Sequence, residues 1–184
     1  MNFLRSAVLV AAILASGAAM SQQSPQLAPP TAAPPSEFQE ASQLLTKGQL
    51  ADALIKVDAF LSKRPKDARG RFLKGVIYTQ QKKSDEAIRI FSDLTADYPE
   101  LPEPYNNLAV LYAERGNYEQ ARLALVAAVQ ALPTFPAAHE NLGDIHAKLA
   151  ALSYEKAAKL DKGNTSVPLK LKMINDILSG ALKR

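Results

Sequence analysis

The chain has no cysteine and no tryptophan, and aromatic residues make up only 7% of its 184 positions. Without cysteine it forms no disulfides, carries out no thiol chemistry and cannot take a lipid on an N-terminal cysteine. Scarce aromatics among many Ala and Leu suit thin layers of packed helices. A strong charge of either sign is also missing. The formal net charge is +4, and Lys and Arg are scattered rather than striped, which gives no footprint for nucleic acid. There is no glycine-rich phosphate loop, and no Ser sits in a recognisable elbow with His and Asp partners. His139 and His146 lie seven residues apart, whereas zinc proteases place their histidines four apart with a Glu beside the first. These absences argue against an enzyme, a cofactor or a metal site. An apolar fraction of 47% is enough for one folded domain with tails.

The two ends read differently from the middle. Residues 1–21 have the form of a secretory signal peptide. Arg5 supplies the positive start, Ala7 to Ala15 the short apolar core, and Ser16-Gly17-Ala18-Ala19-Met20-Ser21 the small residues before cleavage. Cleavage after Ala19 or after Ser21 satisfies the rule. An uncleaved anchor is the alternative, but the run is short and alanine-rich for a hydrocarbon core about 30 Å thick. No integral membrane span is expected in the mature chain. Residues 22–35 hold Pro25, Pro29, Pro30, Pro34 and Pro35 among Ser, Gln and Ala. This composition makes an extended tether. Recognition by a proline-reading domain is the weaker reading, since no basic residue flanks the prolines. Export to a periplasm agrees with the lack of cysteine and leaves the fold to rest on its core.

The stretch from Pro102 to Pro133 describes two helices joined by a tight turn. Tyr105, Leu108, Ala109 and Tyr112 recur at helical spacing, Arg115-Gly116-Asn117 interrupts them, and Tyr118, Ala121, Leu125 and Ala128 form a second face. Such a hairpin cannot bury its apolar face alone. Its neighbours appear as a 34-residue internal repeat. Ala53, Ala87 and Ala121 fall in one column, Pro65, Pro99 and Pro133 in a second, and Val57, Phe91 and Leu125 in a third. Small residues at Ala41, Gly75, Ala109 and Gly143 share a register with larger ones at Leu44, Tyr78, Tyr112 and His146. The small residue lets the second helix approach, and the large one fills the space a turn later. Helices are expected at about 36–47, 50–63, 67–81, 84–97, 102–114 and 118–131, with Ser36 capping the first and Gln39 at its third position.

This pattern resembles the tetratricopeptide repeat, a 34-residue helix–turn–helix with W-x2-L-G-x2-Y followed by A, F, A and P. Gly75/Tyr78 and Ala109/Tyr112 match the small-then-Tyr pair, and Ala87/Phe91 and Ala121/Leu125 match the later pair. The first repeat lacks the Tyr but keeps Gly48, Ala53 and Pro65. The resemblance covers about residues 36–162 and implies an all-α fold, an α–α superhelix. Repeats fall at about 36–67, 68–101 and 102–135, with a degenerate unit at 136–162. His139 and His146 occupy positions where the family places Trp and Tyr, so they are expected to pack in the core.

The fourth unit departs from the period. Gly75 to Phe91 and Ala109 to Leu125 each span 16 residues, but Gly143 to Tyr154 spans 11. The missing residues are those that would make the turn, and Ala147 to Ser153 contains no helix breaker. One continuous helix over about 137–160 is expected, with a collapsed hairpin as the alternative. Its far half would project apolar surface past the stack. Residues 163–184 offer a cover: Thr165 or Ser166 as a cap, Pro168 in the first turn, then Val167, Leu171, Ile174 and Leu178 with Ile177 as a stripe. A C-terminal capping helix is therefore expected, as repeat arrays require. A helix exchanged between chains, making a homodimer, is the other reading.

In the tetratricopeptide family the first helix of each hairpin lines a concave groove that holds peptides. The resemblance carries this lining onto Phe38, Ser42 and Leu45, then Arg69, Phe72, Val76 and Thr79. It continues with Glu103, Asn106, Asn107, Val110 and Ala113, and with Glu140, Asn141 and Asp144. Asn107 and Asn141 match an asparagine that can bond a ligand's backbone amide through both donor and acceptor; bonding to an adjacent helix is the competing role. The basic clamp that some members use for C-terminal carboxylates is absent. The groove is expected to have an apolar end near Phe38 and Phe72 and an acidic end near Glu103, Glu140 and Asp144, suited to a hydrophobic anchor with a basic flank. The function implied is an exported protein-interaction module, a periplasmic scaffold or assembly factor in a Gram-negative bacterium. A self-assembling structural protein, using the fused and C-terminal helices as its interface, is the alternative.

Overall fold

The computed structural model describes residues 36–180; the expected signal peptide at 1–21, the expected tether at 22–35 and residues 181–184 lie outside the described residues. All regular structure among them is helical, in the order α1 (Glu37–Thr46), α2 (Leu50–Lys63), α3 (Ala68–Gln80), α4 (Ser84–Asp97), α5 (Pro102–Glu114), α6 (Tyr118–Ala131), α7 (Pro136–Leu160) and α8 (Ser166–Leu178). The chain divides into two compact units whose boundary falls inside α4, after Ile90.

In the first unit, α1 packs on α2 and α2 on α3. Ser36 caps α1 as expected: its Oγ accepts from the Gln39 amide at 3.3 Å, and Gln39 Oε1 accepts from the Ser36 amide at 2.8 Å. This reciprocal pair satisfies two donors that the first turn would otherwise leave open. Asp67 does the same for α3, accepting from the amides of Arg69 and Gly70 at 3.0 and 3.1 Å. Gly70 is a point of tight contact between α3 and α2. A Cβ there would lie 2.8 Å from Leu61 Cδ2 and from the Phe60 ring.

In the second unit, α5 packs on α6, α6 and α5 on α7, and α7 on α8. Prolines at the starts of α5 and α7 cost no hydrogen bond, because the first helical amides have no partner inside the helix. Two of the repeat columns are buried within each unit. Ala53, Ala87 and Ala121 and, one turn on, Val57, Phe91 and Leu125 are all fully buried.

The turns repeat as faithfully. Gly48, Lys82 and Gly116 are each 34 residues apart, and all three have positive φ, at 73°, 61° and 76°. That conformation costs glycine nothing and strains a residue with a Cβ. Position 150, next in this column, lies inside α7.

The fourth unit is one continuous helix of 25 residues. With no second helix folded back beside it, the small residue at Gly143 is exposed, and a Cβ there would meet nothing within 4 Å. The same cause corrects the expectation for the histidines. His139 and His146 are exposed rather than packed in a core, because no returning helix covers their side. His139 Nε2 lies 2.8 Å from the Pro133 carbonyl. Helix α8 covers part of the far half of α7, with Val167 buried and Leu171, Ile174 and Leu178 half-buried. Thr165 holds the N-cap position, as expected, but makes no side-chain capping bond; Asn164 Oδ1 instead accepts from the amides of Ser166 and Val167 at 3.1 and 3.3 Å. Thr165 has helical backbone angles, so the residue before it is the one placed to reach over the first turn.

Candidate functional site

Helices α5 and α7 are the first helices of the third and fourth units, and they pack directly on one another. Three asparagines, at 2%, 6% and 5% exposure, are the buried polar side chains among the described residues: Asn106, Asn107 and Asn141. Asn141 donates from Nδ2 to Asn106 Oδ1 at 2.9 Å, tying α7 to α5. Asn107 donates from Nδ2 to the Glu103 carbonyl at 2.9 Å within its own helix. An amide has both donors and an acceptor, so each Asn still holds capacity beyond these bonds. Around this seam, Glu103 and Asp144 are half-buried, Glu140 is exposed, and Val110 is buried at 8%. The face therefore combines carboxylates with amide groups held by these hydrogen bonds. No Lys or Arg stands among the positions carried onto it.

The first unit places its own candidates differently. Phe72 and Val76 are buried, at 7% and 1%. Phe38 is half-buried, with its ring 5.5 Å from that of Phe60 and the Arg69 guanidinium 5.6 Å from its centre. Arg69 is held in turn by Asp67, Nη2 to Oδ2 at 3.0 Å. Burial pushes the Asp67 carboxyl up. The Arg69 guanidinium and the Gly70 and Arg69 amides outweigh that effect and leave it below the ordinary carboxylate value. Ser42 and Thr79 donate to carbonyls one turn back in their own helices, at 2.9 and 3.0 Å. In this unit Phe72 and Val76 pack internally, while Phe38 stays half-buried against Phe60 and Arg69.

Asp67 and Phe60 did not enter the sequence reading of the site. Asp67 directly before a helical run is a recognisable cap signal, but its grip on Arg69 is not visible in any spacing. Among the described residues, no group of three or more His, Asp or Glu is placed to hold a metal ion. No helix there is long and apolar enough to cross a membrane.

Family models of the tetratricopeptide repeat match residues 38–102 and 78–152. Together they span more than half of the sequence. The chain belongs to the tetratricopeptide repeat family. Proteins of this family mediate protein–protein interaction and peptide binding. Solved tetratricopeptide structures are similar in fold. The Sgt2 TPR domain from Aspergillus fumigatus superposes with a TM-score of 0.60 at 14% identity, covering 64% of this chain and 79% of that one. The first TPR of Spaghetti (RPAP3), bound to the HSP90 peptide SRMEEVD, gives 0.58 at 15% identity over 62% and 90%. The thermophilic TPR protein TTC0263 from Thermus thermophilus gives 0.57 at 19% identity over 75% and 79%. At these identities the likeness shows the fold alone, the α–α superhelical class expected from the 34-residue period. No curated protein matches the chain in sequence.

Proposed function

We propose that the chain is an exported protein-interaction module, a periplasmic scaffold or assembly factor, that takes a peptide or protein segment on the α5–α7 face. The observation that carries this reading is the seam of Asn106, Asn107 and Asn141 with Glu103, Glu140 and Asp144 beside it. Buried amides fixed by hydrogen bonds give a ligand backbone pre-oriented partners, which lowers the ordering cost of binding. The carboxylates favour a ligand with a basic flank. The peptide on the Spaghetti domain, SRMEEVD, is rich in acids, and the present face would select the opposite sign. Export rests on the positive start at Arg5, the Ala7–Ala15 core and the small residues up to Ser21.

A pull-down from envelope extract, comparing the parent with a Glu140→Lys/Asp144→Lys variant of equal helicity, tests the reading. A partner held by the parent and lost by the variant supports it. Equal retention by both contradicts it. A self-assembling role remains the second reading, favoured by apolar side chains exposed on the last two helices. Leu160 stands 78% exposed and Leu169 62%. A mass above the monomer that rises with concentration would support that reading.

A further inference from the structure

Helix α8 has two apolar stripes, and α7 covers only one of them. Val167, Leu171, Ile174 and Leu178 turn toward α7, while Leu169, Met173 and Ile177, four residues apart in series, are 62%, 59% and 49% exposed. Three large apolar side chains aligned on one helix face are not the scattered single exposures that a soluble surface ordinarily shows. Charge is equally localised. Through residue 148 the chain has 15 Lys and Arg and 15 Asp and Glu, whereas residues 149–184 hold seven against three. The whole formal charge of +4 therefore belongs to the far half of α7, to α8 and to the short segments beside them in sequence. Lys170 and Lys172 flank the open stripe, the first with its ammonium 5.8 Å from the Tyr154 ring centre and the second paired with Asp176 at 3.1 Å. On α7, Lys156 and Lys159 are exposed beside Leu152 and Leu160.

From this pairing of an open apolar stripe with the chain's net excess of positive charge, we infer that the α8 end of the chain docks on an anionic lipid surface. A basic amphipathic helix lying in the plane of an interface puts its apolar side chains at the acyl boundary and its lysines among the headgroups. A second copy of the same face is the poorer occupant. A two-fold contact would bring two ends of like charge together, and apolar burial would have to offset that repulsion. Docking needs no spanning segment, consistent with the absence of one among the described residues. It would leave the α5–α7 face for a protein partner.

Vesicle flotation of the full chain tests the inference, using phosphatidylcholine alone and phosphatidylcholine mixed with phosphatidylglycerol. Two variants accompany the parent, Leu169→Ser/Met173→Ser/Ile177→Ser and Lys156→Gln/Lys159→Gln/Lys162→Gln. Binding to the anionic vesicles, weaker with added salt and reduced about tenfold or more in both variants, is the expected result. The lysine variant touches no buried group, so it keeps the test decisive if the serine variant misfolds. Failure to float with anionic vesicles would overturn the inference. So would equal flotation of parent and lysine variant, which would assign binding to another segment, or a dimer that buries the stripe and excludes lipid.

Discussion

Asn141 on α7 donates its side-chain amide to Asn106 on α5 at 2.9 Å, with both side chains buried. The two positions are 35 residues apart, one more than the repeat period, so the bond joins neighbouring repeats through the side chains expected to meet a ligand. It fixes the relation of the two helices that form the candidate face. Replacing Asn141 by Ala leaves the Asn106 acceptor buried without its donor, at a cost of about 1–3 kcal/mol. In a double-mutant cycle with Asn106→Ala, the two losses should add to clearly more than the double variant shows. Urea denaturation of the four proteins measures this. Simple additivity would mean the bond contributes nothing.

The turn column at positions 48, 82 and 116 separates residue type from conformation. Lys82 adopts the left-handed geometry that Gly48 and Gly116 adopt freely. Lys82→Gly should stabilise the chain by about 0.5–1 kcal/mol, and Gly48→Ala or Gly116→Ala should destabilise it by about 1 kcal/mol. Thermal denaturation of the three variants checks both signs.

Two helical glycines should respond in opposite directions. At Gly70 a methyl group would meet Leu61 and Phe60 at 2.8 Å, whereas at Gly143 it would meet nothing. Gly70→Ala is expected to lose about 1–3 kcal/mol through overpacking. Gly143→Ala is expected to gain about 0.5–1 kcal/mol from helix propensity. A stabilising Gly70→Ala would contradict the close approach of α2 and α3.

Asp67 gives the chain a pH dependence of known sign. Its folded carboxyl titrates below the ordinary 3.8. The stability it contributes is therefore complete above that value and is lost as pH falls from there through the folded value. Asn can also cap a helix, so Asp67→Asn should remove the charge effect alone. The variant should be less stable than the parent at neutral pH, and the difference should close in acid. A difference that persists unchanged at pH 2.5, about where carboxylates are largely protonated, would show that charge is not its source.

Much of this architecture is legible in the sequence because a repeat writes each packing contact several times. Ala53, Ala87 and Ala121 announce a close approach by their spacing, and all are buried. The shortened distance from Gly143 to Tyr154 likewise foretold the unbroken α7. Contacts made once leave no period. The Asn141–Asn106 bond, the Asp67–Arg69–Phe38 arrangement and the Asn164 cap each depend on which neighbour a side chain meets. The histidines show the same limit from the other side. Their register placed them at packed positions, but a column predicts burial only where the helix that covers it is present. At His146 that helix has been merged into α7.

Photo-crosslinking in cells of the source organism distinguishes the α5–α7 face from the rest of the surface as the place where a partner binds. The full chain would carry a photoreactive residue at Asp144 on the α5–α7 face or, for comparison, at the exposed Leu123 on α6. A discrete adduct is expected from position 144, absent from position 123 and diminished in the presence of Glu140→Lys. An adduct from position 123 with none from position 144 would contradict that expectation.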